Sequence, residues 1–256
     1  MSVKEHYKRD ELVGKEFKTL TCGNLIVVEY KSYMDITVMF DSPKFITKTR
    51  LDHLYKGLVK NPFYPKVQGR GYMGLGIFNS KHKAYRHWVR LLRRVYDDKD
   101  DYNLFYKGVV VCEEWLNFQN FAAWCETQPF FNAKDDEGKP YQLDKDILVK
   151  GNKTYSPETC CFVPHRVNTL LITCKASRGE YPLGVTYCKR DKVYKASISY
   201  NGKTYNLGQN KDVGEVFNFY KVAKEHHVKI VAEYWKDRID ERVYRALLNY
   251  EVHIDD

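Results

Sequence analysis

The dipeptide Asn201-Gly202 constrains the fold more than any other short stretch of this chain. Both residues accept the positive φ of a type I′ turn, and they separate two β-prone runs, so they predict a two-residue hairpin. The surrounding pattern predicts three short strands and then two helices, over 183–187, 193–200, 203–207, 213–228 and about 230–248. The C-terminal region is therefore predicted to be a βββα unit with one further helix.

The N-terminal region is predicted to be a small β-module. β-Branched and aromatic runs at 25–30 and 36–40 indicate strands, and residues 31–33 between them indicate a hairpin loop. Residues 57–76 interleave proline and glycine, which excludes a regular helix there.

Residues 83–96 have the i, i+3, i+4 apolar spacing of an amphipathic helix. Its polar side is unusually basic and consists of Arg86, Arg90, Arg93 and Arg94. This side is a candidate for phosphate contacts, and the alternative is an ordinary solvated helix face. A second helix is predicted over 113–126 and is expected to belong to the core.

The chain carries a formal net charge of +9 and a pI near 9.0, which favours a polyanionic partner. Its seven cysteines include no C-x-x-C pair, and no apolar run approaches the length of a membrane span. The charged N-terminus does not resemble a signal peptide. We therefore expect a cytoplasmic protein with reduced thiols and no membrane partner.

The stretch 141–168 collects oxygen ligands around two turns. Asp144 and Asp146 stand one residue apart at its start, and His165 and Asn168 stand three apart at its end. A strand, a Gly/Asn loop, a Ser-Pro turn and a helix would bring Asp144 and Asn168 side by side. Such ligands suit a hard divalent cation such as Mg²⁺ or Mn²⁺.

The C-terminal region resembles the AP2 DNA-binding domain. The matching residues are Tyr181 to Val185, Tyr194 to Ile198, Asn201-Gly202-Lys203, Leu207-Gly208, and the helix with Glu215, Phe217, Tyr220 and Ala223. The resemblance implies that the sheet enters the major groove of double-stranded DNA. The implied contact residues, with two flanking lysines, are Thr186, Cys188, Arg190, Lys192, Lys195, Ser197, Ser199, Lys203, Thr204 and Asn206.

Residues 88–168 resemble the HNH-like proteins of tailed phages, many of which also carry an AP2 domain. The matching residues are Trp88, Arg94 to Tyr96, Val111 to Trp115, Phe118, Phe121, Leu143-Asp144, Gly151 to Lys153, Tyr155 to Glu158, Phe162 to Pro164 and Asn168. The resemblance implies a ββα-metal finger in which Asp144 and Asn168 hold the metal.

The general-base position of that finger is held by Lys145, and Thr159 stands where the family has its middle asparagine. A lysine is protonated at neutral pH and cannot accept the proton of the attacking water. Asp146 or His165 would have to act as the base in a rearranged site.

The predicted fold is α+β and multidomain, with a β-rich module over 1–78, an HNH-like finger domain over 79–175 and an AP2-like domain over 176–256. The first functional hypothesis is a metal-dependent phage endonuclease of the homing type, acting in a bacterial host cell. The second is an inactive finger in a DNA-binding or regulatory protein, which Lys145 favours. The third is an interaction protein that binds a host factor.

Overall fold

The structure is a computed structural model that describes residues 9–97, 106–171, 180–200 and 202–256. The chain divides into two compact units, Met1–Cys125 and Glu126–Asp256. Helix and strand are mixed, which confirms the α+β class. The three domains proposed from the sequence stay a prediction.

The first unit begins with the short helix α1 and a four-stranded antiparallel sheet in sequence order. These elements are α1 (Arg9–Leu12), β1 (Glu16–Lys18), β2 (Asn24–Ser32), β3 (Asp35–Phe40) and β4 (Phe45–Thr49). The predicted loop at 31–33 was misplaced, because β2 continues to Ser32 and pairs there with Asp35. The turn is therefore Tyr33-Met34. The alternating residues Ile36, Val38 and Phe40 point to one face and form the core of this sheet.

The rest of the first unit packs helices against aromatic side chains. Its elements are α2 (Leu51–Tyr55), α3 (Lys83–Tyr96), β5 (Val110–Val111), a 3₁₀ helix (Glu113–Leu116) and α4 (Phe118–Thr127). The helix predicted over 83–96 is confirmed. The one predicted over 113–126 is interrupted at Asn117, which has an extended backbone. The side-chain oxygen of Asn117 accepts the Gln119 amide at 3.0 Å, so it supports the first turn of α4.

The second unit begins with the finger-like segment and ends with the βββα region. Its elements are β6 (Gln142–Asp144), β7 (Thr154–Tyr155), β8 (Cys161–Val163), α5 (His165–Leu170), β9 (Val185–Cys188), β10 (Val193–Tyr200), β11 (Lys203–Asn210), α6 (Val213–Trp235) and α7 (Glu241–Leu248). The antiparallel sheet has β10 in the middle. Tyr200 pairs with Lys203, and Gly202 has a φ of +71°, so the predicted hairpin is confirmed; Asn201 itself lies outside the described residues.

Helix α6 covers one face of this sheet. Ala196 and Ile198 on β10 pack with Val216 and Phe217 on α6. Gly184, just before β9, has a φ of +75°, and a Cβ there would lie 2.0 Å from the ring of Tyr220. The close approach of this backbone to α6 therefore requires glycine.

The predicted helix boundary at residues 228–230 is wrong. Helix α6 runs on to Trp235, because Val228, Val231, Ala232 and Trp235 are buried with helical spacing and no glycine or proline interrupts them. The break comes instead near Asp240, whose side chain accepts the Arg242 amide at 2.8 Å and caps α7.

Six of the seven cysteines lie in the described part of the chain, and these are free thiols; Cys174 lies outside it. Within the described ranges, no helix is both long and apolar enough to span a bilayer.

Candidate nucleic-acid interface and metal site

The sequence of α3 determines which side chains point outward. Ala84, Trp88, Leu91 and Leu92 are buried, and the Trp88 indole donates to the carbonyl oxygen of Trp115 at 2.7 Å. This anchor fixes the rotation of the helix about its axis.

Arg86, Arg90 and Arg93 lie on the opposite side of α3 and are exposed. At 3.6 residues per turn they fall within roughly 60° of arc and span about 10 Å along the axis. We call these three residues the arginine face. Arg94 lies at its border, with its guanidinium 5.5 Å from the centre of the Tyr106 ring.

The charge of the arginine face is not paired within the part of the chain that the structure describes. Among the described residues, none of its three guanidinium groups forms an ion pair. The pKa of the neighbouring His87 imidazole is lowered, first by burial and then by the charges of Arg90 and Arg86. The helix therefore presents positive charge that is available to an anion.

The sheet of the second unit brings most of the predicted groove-facing residues together. Directly paired residues on neighbouring strands share a face, and the register pairs Thr186 with Lys195, Cys188 with Val193, Ser197 with Asn206, and Ser199 with Thr204. We call the face away from α6 the open face; its polar residues are Thr186, Cys188, Lys195, Ser197, Ser199, Thr204 and Asn206. They are exposed or half-buried.

The cations beside the open face are partly neutralised. Asp191 accepts hydrogen bonds from Arg190 at 2.8 Å and from Lys195 at 2.8 Å. The Cys188 thiol donates to the same carboxylate at 3.2 Å. These partners hold the pKa of Asp191 well below its usual range, with Arg190 contributing most. The two remaining predicted contacts, Lys192 and Lys203, are exposed at the two turns of the sheet.

The finger-like segment forms a ββα arrangement. β6 and β8 pair antiparallel, with Gln142 opposite Val163 and Asp144 opposite Cys161. Pro164 then leads into α5, which carries Asn168. Side chains alternate along a strand, so Gln142 and Asp144 lie on the same face of β6.

The structure joins Asn168 to Gln142, the residue two before Asp144. The Asn168 amide donates to the Gln142 side-chain oxygen at 2.6 Å, and the His165 Nδ1 atom lies 3.4 Å from the same oxygen. Sequence reasoning missed Gln142. The signal was its i−2 position relative to Asp144, which places both side chains on one face of the strand.

Asp144 organises the turn that follows β6. One of its carboxylate oxygens accepts the backbone amides of Asp146 at 2.9 Å and Ile147 at 2.8 Å. Burial, and after it the charge of Asp146, raises the pKa of Asp144 to about 6, against the opposing effect of those two hydrogen bonds.

Lys145, at the general-base position, is engaged in contacts that do not suit a general base. Its ammonium pairs with Asp146 at 2.9 Å, and its side chain is 11% exposed. It also lies 5.9 Å from the centre of the Tyr155 ring. At the family's middle asparagine position, the Thr159 hydroxyl donates to the Thr154 carbonyl at 2.8 Å. Lys145 and Thr159 therefore both act as structural groups.

The side-chain oxygens of this segment supply few ligands for a metal ion. Among the described residues, no three His, Cys, Asp or Glu side chains come together as a ligand set. Asp144 keeps one carboxylate oxygen and Asn168 its amide oxygen. Mg²⁺ is commonly held by one or two protein ligands together with substrate phosphates. Asp144 and Asn168 supply two oxygens of the type that Mg²⁺ prefers, one from β6 and one from α5.

Comparisons with known proteins give no match. No family model, no curated protein and no solved structure matches this chain.

Proposed function

We propose that this chain binds double-stranded DNA. The observation that carries the proposal is the arginine face of α3, with three exposed guanidinium groups and no ion-pair partner among the described residues. Each phosphate that such a group neutralises releases condensed counterions, which drives binding of any DNA sequence. The 10 Å span of the face corresponds to about three base pairs of axial rise.

The open face would supply contacts to base edges. It presents hydroxyl and amide groups from Ser197, Ser199, Thr204 and Asn206, which can donate to and accept from bases in the major groove. Phosphate contacts position a protein on DNA and base contacts specify the site. The two surfaces would therefore have different roles.

Binding of a fluorescent 30-base-pair duplex by the purified protein tests the proposal. We expect saturable binding that weakens steeply as salt rises from 50 to 200 mM. A complex that is insensitive to salt, or no complex, would contradict it.

Hydrolysis of DNA is a second candidate function, and the ββα arrangement of β6, β8 and α5 favours it. Asp144 and Asn168 would hold a divalent metal, and the metal would stabilise the leaving oxygen of a phosphodiester. The general base is the missing part, because Lys145 is a paired cation. Asp146 and His165 are the two exposed groups left for that role.

Cleavage assays separate the two functions. Phage and host DNA are incubated with the protein in Mg²⁺, Mn²⁺ or EDTA, alongside Asp144→Ala and Asn168→Ala variants. Metal-dependent cuts that both variants lose would establish a nuclease. Intact DNA, with binding preserved, would leave a DNA-binding protein whose finger is structural.

A further inference from the structure

A cleft of about 500 Å³ opens on the first unit, a volume within the range of ligand sites. It lies between the turn that joins β3 to β4 and the proline- and glycine-rich loop 57–76. The residues that determine its chemistry are Lys44, Phe63, Arg70, Tyr72, Glu113 and Leu116.

The aromatic wall of the cleft is held firmly. The rings of Phe63 and Tyr72 have their centres 6.0 Å apart. The Tyr72 amide donates to the Leu116 carbonyl, and the Tyr72 carbonyl accepts from the Phe118 amide, both at 2.9 Å. The backbone that carries the Tyr72 ring is therefore held by hydrogen bonds on both sides, which limits the entropy that this residue loses on binding a ligand.

Two cations border this wall. Lys44 is exposed on the β3–β4 turn. Arg70 lies in a tight turn whose Gly71 packs directly on Trp88 and Leu92, and its guanidinium is 5.5 Å from the centre of the Tyr96 ring. Within the described residues neither Lys44 nor Arg70 forms an ion pair. The cleft therefore offers two positive charges, together with the negative charge of Glu113, next to two aromatic rings.

We propose that this cleft binds a single unpaired nucleotide. Its base would pack on Phe63 and Tyr72, and its phosphate would contact Lys44 and Arg70. The Glu113 carboxylate, which also lines the cleft, can accept a hydrogen bond from the amino group of a base such as cytosine. This site would add an unstacked base to the ligands of the proposed DNA-binding protein. It rests on the DNA-binding proposal in one respect, namely that DNA is the source of the nucleotide.

The test compares two labelled duplexes that differ by one unpaired cytosine. We expect the full chain to bind the bulged duplex at least about fivefold more tightly than the paired one, because base–aromatic stacking contributes on the order of 1–3 kcal/mol. Free dCMP should compete for the cleft better than dTMP, deoxycytidine or inorganic phosphate.

Three variants test whether the preference for the bulged duplex depends on the cleft. Phe63→Leu keeps an apolar wall but removes the ring, and Lys44→Gln and Arg70→Gln each remove one charge. Each should abolish most of the preference for the bulged duplex. Lys48→Gln is the matched control, because Lys48 is an exposed lysine on β4 that pairs with Asp35 outside the cleft.

The outcomes separate this inference from the DNA-binding proposal. Equal affinity for the two duplexes, or a preference that survives Lys44→Gln and Phe63→Leu, would overturn the cleft and leave DNA binding standing. Binding of dCMP that depends on the cleft, without binding of paired duplex, would support the cleft and overturn the proposal of duplex binding.

Discussion

The cations of the arginine face of α3 and the cations beside the open face of the C-terminal sheet are in different electrostatic states. Arg86, Arg90 and Arg93 have no carboxylate partner among the described residues. Arg190 and Lys195 share Asp191. A count of basic residues therefore overstates the phosphate affinity of the sheet. If the chain binds DNA as proposed, α3 should therefore contribute most of the non-specific affinity, and the sheet should contact bases.

The largest expected effect is on the stability of the C-terminal sheet. Gly184→Ala places a methyl group against the Tyr220 ring at a positive φ, and we expect a loss of about 3–5 kcal/mol from the second unit. Hydrogen exchange should show lost protection over β9–β11 and α6. Duplex binding should persist, since the arginine face belongs to the other unit.

Gly202→Ala is the control for backbone strain, because Gly202 also has a positive φ, of +71°, but has open space around it. It should cost only about 1–2 kcal/mol, the penalty for placing a residue with a Cβ in the left-handed backbone region. Equal losses in the two variants would contradict the close packing of Gly184 on Tyr220.

The next largest effect is expected on duplex affinity when the charges of the arginine face are removed. The triple variant Arg86→Gln, Arg90→Gln and Arg93→Gln should weaken duplex binding by about tenfold to a hundredfold near 0.1 M salt. A control with the same loss of charge in the same unit replaces Lys31, Lys48 and Arg50, which are paired with Glu29, Asp35 and Asp52. The control should bind nearly as well as the wild type. Equal weakening in both would mean that net charge, and not the face, governs affinity.

Asp144 extends the comparison to a half-buried acid. Its folded pKa of about 6 lies above the ordinary carboxyl value of 3.8, so the folded state binds the proton more tightly than the unfolded state. Stability conferred by the neutral form is present below about pH 4 and is lost as pH rises through 6. Asp144→Asn keeps the oxygen that caps the turn and removes the charge.

In EDTA we expect the Asp144→Asn variant to match the wild type near pH 4 and to exceed it by on the order of 2 kcal/mol at pH 8. Urea denaturation at several pH values measures the difference. A wild type that gains stability relative to the variant as pH rises would contradict the raised pKa.

The smallest expected effect on duplex affinity comes from removing the carboxylate that neutralises the cations of the sheet. Asp191→Asn removes the shared charge of Arg190 and Lys195, and duplex affinity should rise about threefold to tenfold near 0.1 M salt. Asp237→Asn, which removes an acid beyond the end of α6, is the control. An unchanged affinity in Asp191→Asn would indicate that the sheet does not approach phosphate.

Local patterns in the sequence predicted the elements whose signals are local. The apolar spacing of residues 83–96 predicted the bounds of α3, and Asn201-Gly202 predicted the hairpin. Both succeeded because helix periodicity and turn chemistry are properties of short segments. The break at Asn117 and the continuation of α6 to Trp235 were missed. Both depend on which apolar side chains find a core, and that is decided by tertiary packing.

The candidate site was predictable in its position but not in its contacts. Asp144 and Asn168 were assigned to the ends of a ββα segment, and the structure has that segment. The bond between Asn168 and Gln142 and the pairing of Arg190 and Lys195 with Asp191 depend also on side-chain rotamers, which strand alternation and residue spacing do not determine.

The most direct test of the central claim is the salt dependence of duplex binding in the wild type and in the triple arginine variant. The logarithm of the binding constant should fall linearly with the logarithm of salt, with a slope of about −0.9 for each phosphate contact. Loss of Arg86, Arg90 and Arg93 should therefore make the slope shallower by about 2 to 3. An identical slope in the two proteins would contradict phosphate binding by α3.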